Sequence, residues 1–596
     1  MCEFTNWTEV TPANVRAALP KLLKEAEIAV AEIEAEKPTT FDGFVTRLND
    51  AARVLWRTWA DLHHMLGVMN NEEWRKVNED FQNDIIAFSL RVSQSKALYE
   101  IAKSIKETGT RARILEKMVQ SAELAGVALE GEKKSRFNAL QVEISKLSND
   151  FSNAVIDATT PEIADAIFLE TMKHNPDRAK REEIYIKRVT RAPENTPRIA
   201  ELLKLKKECA EILGFKSYAE LSLATKCAPS VKAVFEMIDK LDEATADQAA
   251  AEKLEGEPWD QAYLAERLRE EKYSYSEEEL KRYFDFKDVL AGLFKMSKFL
   301  FDIDVEEITG DEKPAVWHPD VRFFKVIEKG ETIAHFYLDA YVRPGLKQGG
   351  AWMNELRNRR GKDVTPVCVV VMNLQEPKDG KALMPFREVE TLFHEFGHAL
   401  QQMLTRIDEE DAAGINLVEW DAVEVASQFM ENWCLDDRTG IVVPEDLKAK
   451  VKAAKNFRAA TACRRQLQFA KTDMILHGEE LVADANEVKK EVFAHFGAPM
   501  IEKDLFLNAF THIFSGGYSA GYYGYKWSEV MSADCYGAFE EAGLEDDAKM
   551  KELGEKYRET ILALGGSKSA LEVFELFRGR TPEITALLRQ QDLLAK

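Results

Sequence analysis

EVETLFHEFGHAL, residues Glu388–Leu400, is the stretch on which the reading of this 596-residue chain turns. Around it Phe386, Val389, Phe393, Phe396, Leu400 and Met403 recur at helical intervals and make one apolar stripe toward a core. Thr391, His394, His398 and Gln401 share a second, polar stripe, so the histidines face away from that core. Two imidazoles one turn apart can grip a single zinc ion, and Glu395 stands beside them as a candidate base. With 10 histidines in 596 residues, chance supplies such a pentad in roughly one or two of every hundred chains.

Two imidazoles leave a catalytic zinc one protein ligand short, because such sites hold three plus water. Downstream, EWDAVEVASQFMENW (Glu419–Trp433) reads as a second helical run, with Asp421, Glu424, Gln428 and Glu431 on one face. Packed against the first helix, it can deliver Glu424 as the third ligand. Asp421, Gln428 or Glu431 can then orient an imidazole by binding its far nitrogen. Spacing alone does not separate Glu424 from Glu431. The competing reading of these carboxylates is a solvated helix face.

The chain's length suggests about four domains, but no Pro/Gly/Ser-rich linker divides it, and 45% hydrophobic residues can bury a large core. One continuous, mostly helical body is expected. A formal charge of -23 and a pI near 5.1 exclude nucleic acid and anionic membranes as natural partners. Seven cysteines (Cys2, Cys209, Cys227, Cys368, Cys434, Cys463 and Cys535) show no C-x-x-C spacing. They read as free thiols of a reducing compartment, neither a disulfide framework nor a cysteine zinc site. No basic and apolar leader opens the chain, and no apolar run reaches the length of a membrane span, so the expected compartment is the cytosol.

Amphipathic helices are expected over Asp42–Gly67, Asn71–Glu107 and Gly131–Asp157, with His63-His64 as a surface or packing pair. After breaks at Pro161 and Asn175-Pro176, helices resume over Ala179–Gly214, Val231–Glu255 and Ser276–Phe301. The texture changes at Trp317. Val321–Ile327 and Thr332–Tyr341 read as strands joined by a turn at Glu328-Lys329-Gly330-Glu331, and Thr365–Asn373 reads as a third strand. That third strand is either the edge of a cleft, where its backbone could hold an extended peptide, or a core strand. Near the C-terminus, GGYSAGYYGY (Gly516–Tyr525) interleaves glycine with tyrosine, which reads as a mobile segment whose phenols can reach a ligand.

HEFGH, WDAVEVASQFMENW and GGYSAGYYGYKWSE, in this order and spacing, resemble the thimet-type oligopeptidase family of zinc metallopeptidases. VWHPDVRFF (Val316–Phe324), FYLDAY (Phe336–Tyr341), GGAWM (Gly349–Met353) and ELFRGRTP (Glu575–Pro582) add to the likeness. It is strong from about Val316 onward and continuous back to about Ser145. The family's D-x-V-E-x-P-S-Q pattern puts its third zinc ligand on Glu424, with Ala426 here in place of the proline; a helix tolerates alanine better. The chain is shorter than this family's pattern around Thr159–Lys187.

The resemblance implies a mainly α, zincin-like and neurolysin-like helical clam with a deep channel and a small β-sheet bordering the site. An N-terminal helical region (1–150) would precede a catalytic region (151–596), with the β-element near 317–375, the metal helices near 384–438 and the tyrosine-rich loop at 515–527. One zinc ion would sit on His394, His398 and Glu424, with Glu395 as base. Tyr518 and Tyr525 would donate to the oxyanion, Tyr522 and His512 would contact substrate, and Asp421 and Glu431 would support the ligands. The expectation is a monomer that cuts internal bonds of short peptides. A peptidyl-dipeptidase, a peptidase of folded proteins and a non-enzymatic helical scaffold are the rival readings.

Overall fold

Five strands carry the framework: β1 (Asp304–Glu307), β2 (Arg322–Glu328), β3 (Glu331–Tyr341), β4 (Trp352–Arg357) and β5 (Val367–Leu374). The computed structural model describes residues 4–594 apart from 164, 275–276 and 344, so Cys2 and Ser276 lie outside it. The β2–β3 hairpin turns on Lys329 (φ 49°) and Gly330 (φ 86°), two left-handed residues whose twist matches that of the flanking strands.

The strand order is β1-β2-β3-β5-β4, with β3 and β5 parallel and the other neighbours antiparallel. This corrects the edge reading of Thr365–Asn373. The VCVVVMNL run of β5 is an interior strand, buried almost throughout, as a continuous apolar strand must be when both its sides and both its faces are covered. The edge is β4, which follows GGAWM. Its WMNELR sequence mixes polar with apolar residues, and β1 (DVEE) is short and charged; neither carries a strand signal.

Side chains alternate across the sheet. Phe324, Val326, Phe336, Leu338, Cys368, Val370 and Met372 enter one core with helix Phe286–Phe301 and the pentad helix Phe386–Met403. Phe323, Tyr337, Val367, Val369 and Val371 enter a second core with the N-terminal helices, including Leu19, Val30, Phe44, Leu55, Ile114 and Leu115. A third core joins helix Gly131–Asp157 to helices Asn195–Ile212, Val231–Ala251 and Ala459–Leu476 and to the tyrosine-rich loop. Helix Gly131–Asp157 runs unbroken through the boundary expected near residue 150. The helix expected over Ser276–Phe301 is instead interrupted, because Phe286 and Met384 exchange backbone bonds with Ala382 and Phe284.

Where the N-terminal helices meet the sheet, several polar groups are buried. Asp339 is fully buried and bonded by Trp317 Nε1 at 2.8 Å, by Lys347 Nζ at 2.8 Å and by Arg343. His64 lies close by, its ring 4.9 Å from that of Trp7 and 4.3 Å from that of Trp317. Neither of its nitrogens has a hydrogen-bond partner among the described residues. Burial pushes its pKa down to about 3, with Asp339 opposing and Arg343, Arg57 and Lys347 reinforcing.

Between pH 6.5 and 3 the unfolded chain therefore holds a proton on His64 that the folded chain does not, and stability falls with acidification. At pH 5 this costs about 2 kcal/mol. Denaturant unfolding at pH 7 and pH 5 checks it: His64→Leu should lose about 2 kcal/mol less than the parent between the two, and equal losses would refute the account.

Candidate metal centre

The pentad helix spans Phe386–Met403 and buries Val389, Phe393, Phe396, Leu400 and Met403, as its apolar stripe requires. His394 and His398 emerge on the other stripe, half-buried, whereas Gln401 points inward, its Nε2 donating to Ile561 O at 3.4 Å. Gly397 explains the pentad's fourth letter. A Cβ there would lie 2.5 Å from Ala426 O and 2.6 Å from Ser427 Cα, far inside van der Waals contact. The backbone of 426–427 thus packs directly on the pentad helix where only hydrogen is tolerated.

That second segment is less helical than its pattern suggests. Residues 420–424 form turns, the helix itself is Val425–Glu431, and Glu424 sits at its N-cap. From there Glu424 Oε2 reaches 3.2 Å from His394 Nε2 and 3.1 Å from His398 Nε2, and Ser427 Oγ donates to the same oxygen at 2.8 Å. Glu431 meets the other side of the ring, its Oε1 2.6 Å from His394 Nδ1. A carboxylate only accepts, so Glu431 holds a proton on Nδ1 and leaves Nε2, beside Glu424, as the nitrogen that could give its lone pair to a metal. Glu424 and Glu431, inseparable by spacing, are separated by which nitrogen each meets.

The donor set fits a metal. Two imidazole nitrogens and a carboxylate oxygen lie within 4.8 Å of one another, and tetrahedral zinc at 2.0–2.1 Å needs neighbours about 3.3 Å apart. Burial disfavours charge on His394, yet Glu424 and Glu431 outweigh it and raise its pKa to about 10. The same negative field would favour a metal cation in the proton's place. Glu395 is buried, and burial raises its carboxyl above the usual range although His394 and His398 oppose the shift. Among the described residues His174, Glu266 and Glu270 come as close to one another, but Arg269 and Arg267 already hold the two carboxylates.

The tyrosine-rich segment lies against this centre. Tyr518 and Tyr525 stack with ring centroids 5.0 Å apart, Trp420 packs on Tyr518 at 5.7 Å, and Tyr522 meets Tyr525 at 5.3 Å. His512 joins the cluster, 5.9 Å from Tyr518 and 5.7 Å from Tyr522. Burial, and after it the Glu424 charge, raises the pKa of Tyr518; burial, Tyr518 and Glu424 do the same for Tyr525. Burial pushes Tyr522 up to about 12. All three phenols keep their protons at neutral pH.

Two further expectations change. Asp421 does not orient an imidazole: it is fully buried and accepts from the amides of Cys227 (2.8 Å) and Ala228 (3.0 Å) and from Tyr523 Oη (2.8 Å). It precedes the helix that would have turned it toward the histidines. The loop is also tethered, since three of its amides end on Asp473. Ser427, Trp420 and Asp473 carried no signal that spacing or periodicity could single out.

Residues 171–593 match the model of peptidase family M3, and residues 19–134 match the N-terminal domain of neurolysin and thimet oligopeptidase. The chain belongs to peptidase family M3. It is accordingly a metallopeptidase, and its family implies a metal and peptide substrates. The organellar oligopeptidase A, chloroplastic/mitochondrial, of Arabidopsis thaliana is 39% identical over 690 aligned positions, covering 100% of this chain and 86% of the relative. Oligopeptidase A of Escherichia coli (strain K12) is 33% identical, covering 98% of each. In fold, the M3 peptidase is similar to PZ peptidase A with inhibitor 2, at TM-score 0.58 and 14% identity, covering 98% and 97% of the two chains. No helix among the described residues is long and apolar enough to cross a membrane.

Removing Glu424 takes one of three donors, so Glu424→Ala should leave the purified protein with little bound metal. Glu431→Ala keeps all three and frees only His394 Nδ1, weakening metal about 10- to 100-fold. Metal analysis after graded chelation orders the two; the reverse order would move the ligand to Glu431.

Proposed function

We propose that this M3 peptidase is a zinc-dependent oligopeptidase that cuts internal bonds of short, unstructured peptides. The supporting observation is the convergence of His394 Nε2, His398 Nε2 and Glu424 Oε2 beside buried Glu395 and the stacked phenols of Tyr518 and Tyr525. His394, His398 and Glu424 would hold the zinc, Glu431 fixing the tautomer of His394. Zinc there supplies Lewis acidity, polarising a carbonyl and acidifying water.

The chain's own groups do the rest. A Glu395 carboxylate oxygen takes a proton from water and returns it to the leaving amine nitrogen; its raised pKa suits both halves of that task. Tyr518 and Tyr525, held protonated, donate to the oxyanion as the carbonyl carbon becomes tetrahedral. Tyr522 and His512, in the same cluster, contact the substrate. β4 leaves one side of its backbone unpaired in the sheet, where an extended peptide can add regardless of its side chains. All these groups come from one chain, which suits a monomer, and the six described cysteines are free and buried, which suits a reducing cytosol.

Glu395→Gln should keep its metal and lose about two to four orders of magnitude in kcat; a metal-loaded variant with near-normal turnover would remove Glu395 as the base. Size selection gives a second test. A channel between helical halves admits a thin extended strand and refuses a folded domain. Given a folded protein, the same protein denatured and its tryptic peptides, the enzyme should cut the peptides fast and leave the folded protein intact. Mass spectrometry of the products reads the cut position, and release of C-terminal dipeptides alone would replace internal cleavage with peptidyl-dipeptidase action.

A further inference from the structure

The stacked phenols stand where they do because of what lies beneath their backbone. Asp473, on helix Ala459–Leu476, is fully buried and separated in sequence from the loop. Its Oδ1 accepts from the amide of Ala520 at 2.8 Å, and its Oδ2 accepts from those of Gly521 and Tyr522 at 2.9 and 3.0 Å. Three successive N–H groups aimed at one carboxylate form an anion nest, which requires a left-handed residue in the turn. That residue is Ala520, at φ 47°, a conformation an alanine adopts only when its surroundings hold it there.

Other groups complete the cradle. His477 Nδ1 lies 2.9 Å from Asp473 Oδ1. Lys206, wholly buried, bonds Ile513 O and Ser519 Oγ, and Ser222 Oγ donates to Ser519 O at 2.9 Å. Asp421 takes the hydroxyl of Tyr523 at the far end of the same turn, three residues before Glu424. The loop is thus fastened at its middle to Asp473 and, through Tyr523, to the segment that carries Glu424.

We propose that Asp473 is a positioning residue for hydrolysis: by gathering the amides of residues 520–522 it fixes where Tyr518 and Tyr525 stand over the metal donors. This rests on the oxyanion role proposed above for the two tyrosines. Asp473 touches no substrate. It acts through the loop's backbone, so it should govern kcat with little effect on KM or on metal content.

Asp473→Asn presents an NH2 group where an accepting oxygen stood, so at least one of the three amides loses its acceptor. In the zinc-loaded enzyme its kcat on a fluorogenic peptide should fall about 10- to 100-fold, with KM within about threefold and metal content unchanged. Hydrogen exchange should quicken at the amides of 520–522 while the pentad helix keeps its protection. The coupling measurement decides between positioning and general damage. If Asp473 works through the phenol, Asp473→Asn combined with Tyr518→Phe should be only about as slow as the slower single variant. Multiplying defects, or a folded Asp473→Asn enzyme with parental kcat, would overturn the proposal. Should that variant fail to fold, Ser222→Ala removes a milder tether and should show the same non-multiplying loss; independence from Tyr518→Phe there overturns it equally. If Tyr518→Phe and Tyr525→Phe both keep parental kcat, the oxyanion role itself fails. A defective Tyr518→Phe beside a normal Asp473→Asn removes the positioning role alone.

Discussion

Two backbones touch at Gly397. With no side chain there, the carbonyl of Ala426 sits where a Cβ would be 2.5 Å away, and the geometry of the centre depends on that contact. It lets Glu424, at the N-cap of its short helix, reach both imidazoles with one oxygen, and Glu431, almost two turns on, meet the back of the first imidazole. A methyl group at 397 would push the second segment outward and pull both carboxylates from their nitrogens together. Ala426 faces the pentad helix through its carbonyl, so the alanine found where the family pattern has proline leaves the contact intact.

The centre is held from several directions. Arg113, on N-terminal helix Gly109–Leu124, bonds Glu419 at 2.7 Å and Gly566 O at 2.7 Å. Glu419 also accepts from the amide of Ala570 at 3.0 Å. Asp421, two residues on, ties the same turn to 227–228 and to the tyrosine-rich segment. Buried carboxylates that accept several amide and guanidinium bonds are costly to leave half-satisfied, so each removes alternatives for the backbone around Glu424. Precision at the donors comes from polar anchors outside them, while the apolar stripe of the pentad helix supplies the attachment to the sheet.

Much of this was legible in the sequence because it is local. The pentad, its apolar stripe and the β2–β3 hairpin each follow from spacing within one turn or one strand, and structure and sequence agree on them. What was not legible depends on neighbours far along the chain. Glu424 and Glu431 share a face, and only the packed position of His394 gives them different nitrogens. The apolar run of β5 reads equally as edge or interior, because strand order is a property of the sheet. Asp421 matched the face of a helix that starts later than its pattern. Asp473 has no motif around it and meets amides 47 to 49 residues away.

The second core has a consequence for synthesis. Leu19, Val30, Phe44, Leu55 and Leu115 are buried against Phe323, Tyr337 and Val369, and those partners leave the ribosome roughly 210 to 350 residues later. At translation rates of about 5–20 residues per second, the N-terminal helices wait roughly 10 to 70 seconds for the face that covers them. Over that interval the nascent chain exposes a sticky, half-built surface and invites chaperone capture. The proposed metal donors and phenols, from His394 to Tyr525, are translated later still.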